Sequence, residues 1–257
     1  MVFSPELFSL KGKKAIVTGG TRGLCLEIAK AYHEMGAEVV IWGRSESGYQ
    51  TAAANSTEDA PMHFVSCDLS KSDSIAAAVQ KSQELLGGRI DILVNGAGIQ
   101  YREDAVNFPE DAWRNVIETN LTALFLVSQQ VGRIMCDQKY GKIINIASMC
   151  SFFGSVRIPA YSASKGGVMQ LTKALSNEWA SFGVNVNAIA PGYMETELTR
   201  NIKTTNPPQY AEITARIPAG RWGQPGDLQG AAVFLASDAA AYVSGAILPV
   251  DGGYLGK

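Results

Sequence analysis

Ser148, Tyr161 and Lys165 are the residues whose types and spacing suggest proton transfer in this chain. Tyr161 and Lys165 are four apart, so on a helix they lie one turn apart on one face. An ammonium beside a phenol favours the phenolate, which predicts a Tyr161 pKa lowered from its ordinary value of about 10. Ser148 ends an apolar run upstream, and its hydroxyl can hydrogen-bond the same substrate oxygen. Such a set passes a proton to or from an alcohol or carbonyl while a separate carrier moves the hydride. The bland alternative makes Tyr161 a half-buried helix residue and Lys165 a solvated one. The weight therefore falls on whether the chain provides a place for a hydride carrier.

The elements around these residues supply one. Lys14–Thr18 is a short apolar run, followed at once by the glycine turn Gly19-Gly20-Thr21-Arg22-Gly23 and by helical spacing from Leu24 to residue 35. A second apolar run covers residues 38–42, so the chain opens as strand, glycine turn, helix, strand. Glycines at such a turn let backbone approach a pyrophosphate, and the helix that Leu24 opens presents unpaired N–H groups and the positive end of its dipole. The pattern continues with strands near 64–66, 92–94, 142–146, 184–189 and 247–250. Helices are expected over 74–86, 110–131, 161–180 and 228–236. Strand runs that are apolar throughout predict a parallel sheet covered on both faces. The expected fold is one doubly wound α/β domain of the Rossmann type over residues 1–257, with about seven strands. Residues 194–218, with two adjacent prolines and a polar run, read as an insertion that could act as a lid.

The end of the second strand bears on the cofactor. A carboxylate there would suit the ribose hydroxyls of NAD, but the chain has Trp42-Gly43-Arg44-Ser45. Arg44 and Arg22 are cations suited to a 2′-phosphate, so NADP(H) is favoured over NAD(H) unless both arginines are simply solvated. Composition narrows the rest. The chain has 257 residues, 46% hydrophobic and 18% charged, with a formal net charge of −2. That balance gives no basic excess for nucleic acid or an anionic membrane surface. Four cysteines are scattered without metal-ligand spacing and read as reduced thiols of a cytoplasmic protein. The two histidines, His33 and His63, give little support to a metal site or a Ser-His-Asp hydrolase.

Over nearly its whole length the chain resembles the short-chain dehydrogenase/reductase family. The motifs that carry the resemblance are Thr18-Gly-x-x-x-Gly23, Asp68, Asn95-x-Ala-Gly98, Asn120, Ser148, Tyr161-x-x-x-Lys165, Pro191-Gly192 through Thr196, and Asp251-Gly-Gly253. The resemblance implies that Tyr161 is the general acid/base, that Lys165 lowers its pKa and binds the nicotinamide ribose, and that Ser148 orients the substrate oxygen. It implies that Asn120 holds a water linking Lys165 to solvent. Cofactor contacts are implied at Gly19, Thr21, Arg22, Gly23, Leu24, Arg44, Ser45, Asp68 and Leu69. Further along they are implied at Asn95, Ala97, Gly98, Tyr161, Lys165, Pro191, Gly192, Met194 and Thr196. Bland readings make Asp68 a helix N-cap and Asn120 a partner of helix backbone. A homo-oligomer, tetramer or dimer, is part of what the family implies.

Two positions depart from the family pattern. Cys25 stands where a third glycine is usual, and Gly96 stands where a second asparagine is usual. A thiol at position 25 puts cofactor affinity in question and invites a redox role. The second half of the chain resembles the 2-deoxy-D-gluconate 3-dehydrogenase and 2-dehydro-3-deoxy-D-gluconate 5-dehydrogenase group, which implies a sugar-acid substrate. Arg102 and Arg157 lie in loops expected at the carboxyl ends of strands, where a guanidinium can pair with a carboxylate. With Ser148, Tyr161 and Tyr193 they form the expected substrate set, although either arginine could instead sit in a surface salt bridge. Two alternatives stay open. Phe152, Phe153, Tyr193 and Met194 could line an apolar pocket for a steroid-like ketone, or the protein could be a non-catalytic nicotinamide sensor.

Overall fold

The computed structural model describes residues 4–45, 47–196, 199 and 201–257. Seven parallel strands form one sheet in the order β3-β2-β1-β4-β5-β6-β7. They are β1 Lys14–Thr18, β2 Glu38–Gly43, β3 Met62–Ser66, β4 Ile92–Asn95, β5 Gly141–Ile146, β6 Val184–Pro191 and β7 Ile247–Val250. The order reverses between β1 and β4, which leaves a crevice at their carboxyl ends.

Alternation along the strands builds a core on each face. Ala15, Val17, Val39, Ile41, Ile92 and Val94 pack on one side with α1 (Gly23–Glu34). Ile16, Val40, Leu93 and Ile143 pack on the other with α3 (Ser72–Leu85). The apolar runs are thus strands buried on both faces, as the sequence predicts. The helix α2 (Ser47–Ala54) between β2 and β3 has no strong apolar stripe and escapes sequence reading.

The helix expected over 110–131 is interrupted. It consists of α4 (Glu110–Ile117), a π-helical turn over Glu118–Thr122, and α5 (Ala123–Gln138). The π turn carries Asn120, and such turns recur at functional sites. The stretch 194–218 is also more regular than its composition suggests. It contains α7 (Ile202–Thr205) and α8 (Pro207–Ala215), following α6 (Pro159–Trp179). The paired prolines start α8 rather than break it. Pro207 occupies the first helical position, where its missing N–H costs nothing, and the Asn206 side chain accepts from the Gln209 N–H at 3.2 Å. Residues 197, 198 and 200 of the expected lid lie outside the described residues. Helix α9 (Gln229–Ala236) precedes β7.

Candidate active site

Tyr161 enters in the first turn of α6, where Pro159 again opens the helix, and Lys165 follows one turn later. Ser148 lies at the end of β5 and caps a short turn over Met149–Ser151 through the Cys150 N–H, 3.1 Å from its Oγ. Its hydroxyl also lies close enough to the Tyr161 phenol to lower the phenol's pKa. The sequence-predicted trio is therefore assembled at the carboxyl end of the sheet.

Its electrostatics differ from expectation. Burial dominates at Tyr161 and pushes its pKa up to about 12, against a smaller lowering by the neighbouring Ser148 hydroxyl. The expected lowering by Lys165 is absent here for a geometric reason. Lys165 Nζ donates to the Ile146 carbonyl at 2.6 Å and stands 5.7 Å from the Tyr161 ring centroid. Lys165 is itself only 4% exposed, and burial draws its pKa down to about 8. In this state the phenol holds its proton.

Around the trio runs a buried polar frame, of which sequence reasoning names Asn95 and Asn120 but misses Ser128, Asn145, Ser151, Ser164 and Thr172. Asn120 pairs with the Ile99 peptide, accepting its N–H at 2.8 Å and donating to its carbonyl at 2.9 Å. It also donates to Ser164 Oγ at 3.1 Å, and Ser164 in turn donates to the Tyr161 carbonyl at 2.8 Å. Asn120 therefore ties α6 to the loop after β4 rather than satisfying its own helix. Gly98 keeps this junction open: a Cβ there would lie 3.3 Å from Asn120 Oδ1 and 3.8 Å from Lys165 Nζ. Asn95 turns inward and donates to Ser128 Oγ and Asn145 Oδ1, both at 2.9 Å. Asn145 then donates to Thr172 Oγ1 on α6 at 2.9 Å. The Asn95 side chain is thus committed to the frame, leaving its backbone for any ligand. Ser151 Oγ closes the set by donating to the Lys165 carbonyl at 2.6 Å.

The cofactor side of the crevice is built from loops that touch. Gly19 (φ +69°) and Gly23 (φ +61°) use the left-handed backbone that glycine permits. A Cβ at Gly19 would come within 3.0 Å of the Ala97 Cα, and one at Gly43 within 2.6 Å of Thr21 Cγ2. Leu24 lies in the first turn of α1, whose N-cap, Arg22, makes no side-chain cap. Arg22 and Arg44 are both exposed, and neither forms an ion pair among the described residues. Ser45 Oγ pairs with Ser47 Oγ at 2.7 Å. Asp68 is not the α3 N-cap, which is Lys71. Its carboxylate accepts from the Ser70 hydroxyl at 2.8 Å and the Ser70 N–H at 3.1 Å, and these bonds hold its pKa below the ordinary value, with Lys71 and Arg44 adding to the effect. Leu69 follows it in the same loop. Pro191 ends β6, Gly192 packs on Asp251, and Thr196 accepts a backbone turn from Thr199.

The two departures from the family pattern prove to be one. Any Cβ at Gly96 would fall on the Cys25 Sγ, so the thiol fills the room that a side chain at 96 would need. The thiol is 5% exposed, and burial pushes its pKa up to about 12. That corrects the redox expectation, because a reactive cysteine needs thiolate and access.

The substrate side also needs correction. Arg157 does not face the site as a free cation. With φ +66° it turns back on the loop after β4, placing Nε 3.0 Å from Asp104 and a terminal nitrogen 3.8 Å from Glu103. Arg102 is exposed, makes no ion pair among the described residues, and acts electrostatically on Cys150 and Tyr193. Of the apolar pocket residues, Phe153 and Tyr193 both pack on Tyr254, whereas Met194 is 5% exposed in the core and Phe152 is 46% exposed.

A family model described as enoyl-(acyl carrier protein) reductase matches residues 19–255. The chain belongs to the short-chain dehydrogenase/reductase family. Within that family it is 46% identical to a 2-dehydro-3-deoxy-D-gluconate 5-dehydrogenase of Bacillus subtilis (strain 168), with 100% of both chains covered. It is 39% identical to a gluconate 5-dehydrogenase of Gluconobacter oxydans (strain 621H), covering 97% of each chain. A solved gluconate 5-dehydrogenase from Burkholderia cenocepacia J2315, in complex with NADP and tartrate, superposes with a TM-score of 0.93 at 40% identity over 98% of both chains. The family member described here therefore sits among sugar-acid oxidoreductases along its whole length.

Proposed function

We propose that this protein is an oxidoreductase that interconverts a ketone and a secondary alcohol of a sugar acid, using NADP(H) in preference to NAD(H). The observation that carries the reading is the Ser148 hydroxyl beside the Tyr161 phenol, with buried Lys165 one turn along α6, and with the Arg102 guanidinium, which makes no ion pair among the described residues, within electrostatic reach of Cys150 and Tyr193. The full-length relatives named for gluconate and deoxygluconate oxidation support it.

The residues present fit a dinucleotide. The open backbone of Gly19 and Gly23 and the uncapped start of α1 suit a pyrophosphate, with Thr21 and Leu24 beside it. Arg22, Arg44 and Ser45 suit a 2′-phosphate. Asp68, Leu69, the Asn95 backbone, Ala97 and Gly98 would border the adenosine side. Pro191, Gly192, Met194 and Thr196 would border the nicotinamide. When bound, the nicotinamide supplies or accepts the hydride.

The chain's own residues manage the proton. Ser148 and Tyr161 hydrogen-bond the substrate oxygen, and the phenol, protonated at neutral pH, donates to it as carbonyl becomes alcohol. Lys165 and Asn120 hold the route by which that proton is replaced. Arg102 pairs with the substrate carboxylate, and Tyr193 lines the site beside it; Arg157 holds the loop that carries Arg102 rather than meeting substrate. In this reading residues 1–257 act as one domain, with 194–218 covering the substrate. The setting is cytoplasmic, supported by four free cysteines, three of them buried. No helix among the described residues is long and apolar enough to cross a membrane. A homo-oligomer is also proposed, for which Trp113 of α4, 41% exposed, offers apolar surface.

Tyr161→Phe tests the reading. With a keto sugar acid and NADPH, turnover should fall by about a thousandfold or more while NADPH still binds as in wild type. A variant that kept most of its turnover would remove Tyr161 as the proton donor.

A further inference from the structure

The Asp251-Gly-Gly253 motif has no part in the chemistry above, yet it is the point on which three pieces of the substrate wall converge. Asp251 folds the chain end into a turn, accepting from the Gly253 N–H and the Leu255 N–H, each at 2.9 Å. Gly252 and Gly253 have φ of +66° and +89°, so a side chain at either is strained. They also admit close contact. A Cβ at Gly252 would lie 2.8 Å from Ile217 Cγ2, and one at Gly253 3.2 Å from Pro218. The Ala219 N–H donates to the Gly252 carbonyl at 2.9 Å, so the segment after α8 is latched onto the turn. On the other side, a Cβ at Gly192 would meet Asp251 at 2.7 Å, which brings in the end of β6.

This latch sets the side chains at its edges. Tyr254 follows the turn directly and packs on Tyr193, 5.6 Å between ring centroids, and on Phe153 at 5.9 Å. Arg216 ends α8, and its guanidinium carbon lies over the Tyr254 ring, 5.0 Å from the centroid. Arg216 is exposed and forms no ion pair among the described residues. Its charge and that of Arg102 both act on the Tyr193 phenol, so guanidiniums from two different loops lie within electrostatic reach of this one group. A ring face holds a guanidinium while leaving its N–H edge free for an anion.

We propose that Arg216, seated on Tyr254 and positioned by the Asp251-Gly252-Gly253 turn, is a specificity-determining residue that pairs with the substrate carboxylate opposite Arg102. This rests on the sugar-acid reading above and adds to it the residue that separates an acid from a neutral ketose. Two cations flanking one carboxylate discriminate against an uncharged analogue by leaving both unpaired.

The test is steady-state kinetics with NADPH for wild type, Arg216→Ala and Arg216→Lys, using a keto sugar acid and a neutral ketose of the same chain length. Arg216→Ala should raise KM for the acid by about tenfold or more, with kcat within about threefold, and leave the ketose within about twofold. Arg216→Lys should recover part of the KM, since the charge returns without the fork. An unchanged KM for the acid in Arg216→Ala overturns the inference and leaves the sugar-acid function standing, as does an equal loss with both substrates. If wild type reduces the neutral ketose as well as the acid, the sugar-acid reading fails first and takes the inference with it.

Discussion

The two ends of the crevice are built by opposite means. Around Ser148, Tyr161 and Lys165 the side chains of the polar frame are tied: Asn120 to Ile99 and Ser164, Asn95 to Asn145, Asn145 to Thr172, Ser151 to Lys165. Among the described residues no buried side-chain nitrogen or oxygen lacks a partner. At the rims the arginines Arg22, Arg44, Arg102 and Arg216 are exposed and make no ion pairs among the described residues. A proton donor needs a fixed position and a low dielectric, whereas anion capture needs cations not already neutralised. The contrast teaches where each kind of substitution should act: on fold and chemistry in the frame, on affinity and salt dependence at the rim.

The sharpest test of the rigid half is the Cys25–Gly96 exchange. Restoring the asparagine by Gly96→Asn places its Cβ on the Cys25 Sγ, so the loop after β4 must move or α1 must shift. Overpacking of this kind costs about 1–3 kcal/mol, enough to lower Tm by several degrees. Cys25→Gly alone should cost about 1 kcal/mol, because it removes a buried thiol and leaves a small cavity beside Gly96. The double variant should be destabilised by less than the sum of the singles, a coupling of about 1–2 kcal/mol. Additive thermal denaturation data would break the idea that the two departures compensate.

The rim predicts smaller, salt-sensitive effects. Arg44→Ala should weaken NADPH about tenfold in a fluorescence titration and leave NADH within about twofold, with Arg22→Ala behaving similarly. The loss should shrink at high ionic strength, since both guanidiniums are exposed. If the double variant kept the wild-type ratio of NADPH to NADH affinity, the arginines would be solvated charges and the phosphate site would lie elsewhere.

What was legible in the sequence follows the same division. The strands, the glycine turn and the Tyr161–Lys165 spacing are local patterns, and the structure places them at or near their expected limits. The π turn at Glu118–Thr122 was not legible, because one extra residue per turn leaves the apolar spacing of a long helix almost unchanged. Asn145 reads in sequence as an odd polar residue within a buried strand, and only the pairing of β4 with β5 sets it opposite Asn95. Arg102 and Arg157 are indistinguishable by type and by loop. The tertiary neighbours Glu103 and Asp104 pair with Arg157, while Arg102 makes no ion pair among the described residues. Arg216 was invisible because nothing near it in sequence announces Tyr254.

Lys165 is a cation buried within the rigid half, and pH gives the finest measure of that burial. Its pKa falls from 10.5 in the ordinary case to about 8 through burial. Below about 8 both folded and unfolded chains carry the proton, and the folded chain bears the full desolvation cost of the charge. Between about 8 and 10.5 the unfolded chain binds a proton that the folded chain does not, so this group makes stability rise with pH. Its contribution is complete above 10.5 and is lost as pH falls through about 8. Cys25 and Tyr161, both raised to about 12, work the other way, since the unfolded chain gives up their protons first. The difference between wild type and Lys165→Met therefore isolates the lysine. In the cofactor-free protein, wild type should gain on Lys165→Met across pH 8 to 10.5 with a slope below about 1.4 kcal/mol per pH unit, the ceiling for one proton. A flat difference in urea unfolding would mean that the ammonium stays hydrated through the Ile146 carbonyl and its surroundings, and that the frame is less closed than its hydrogen bonds imply.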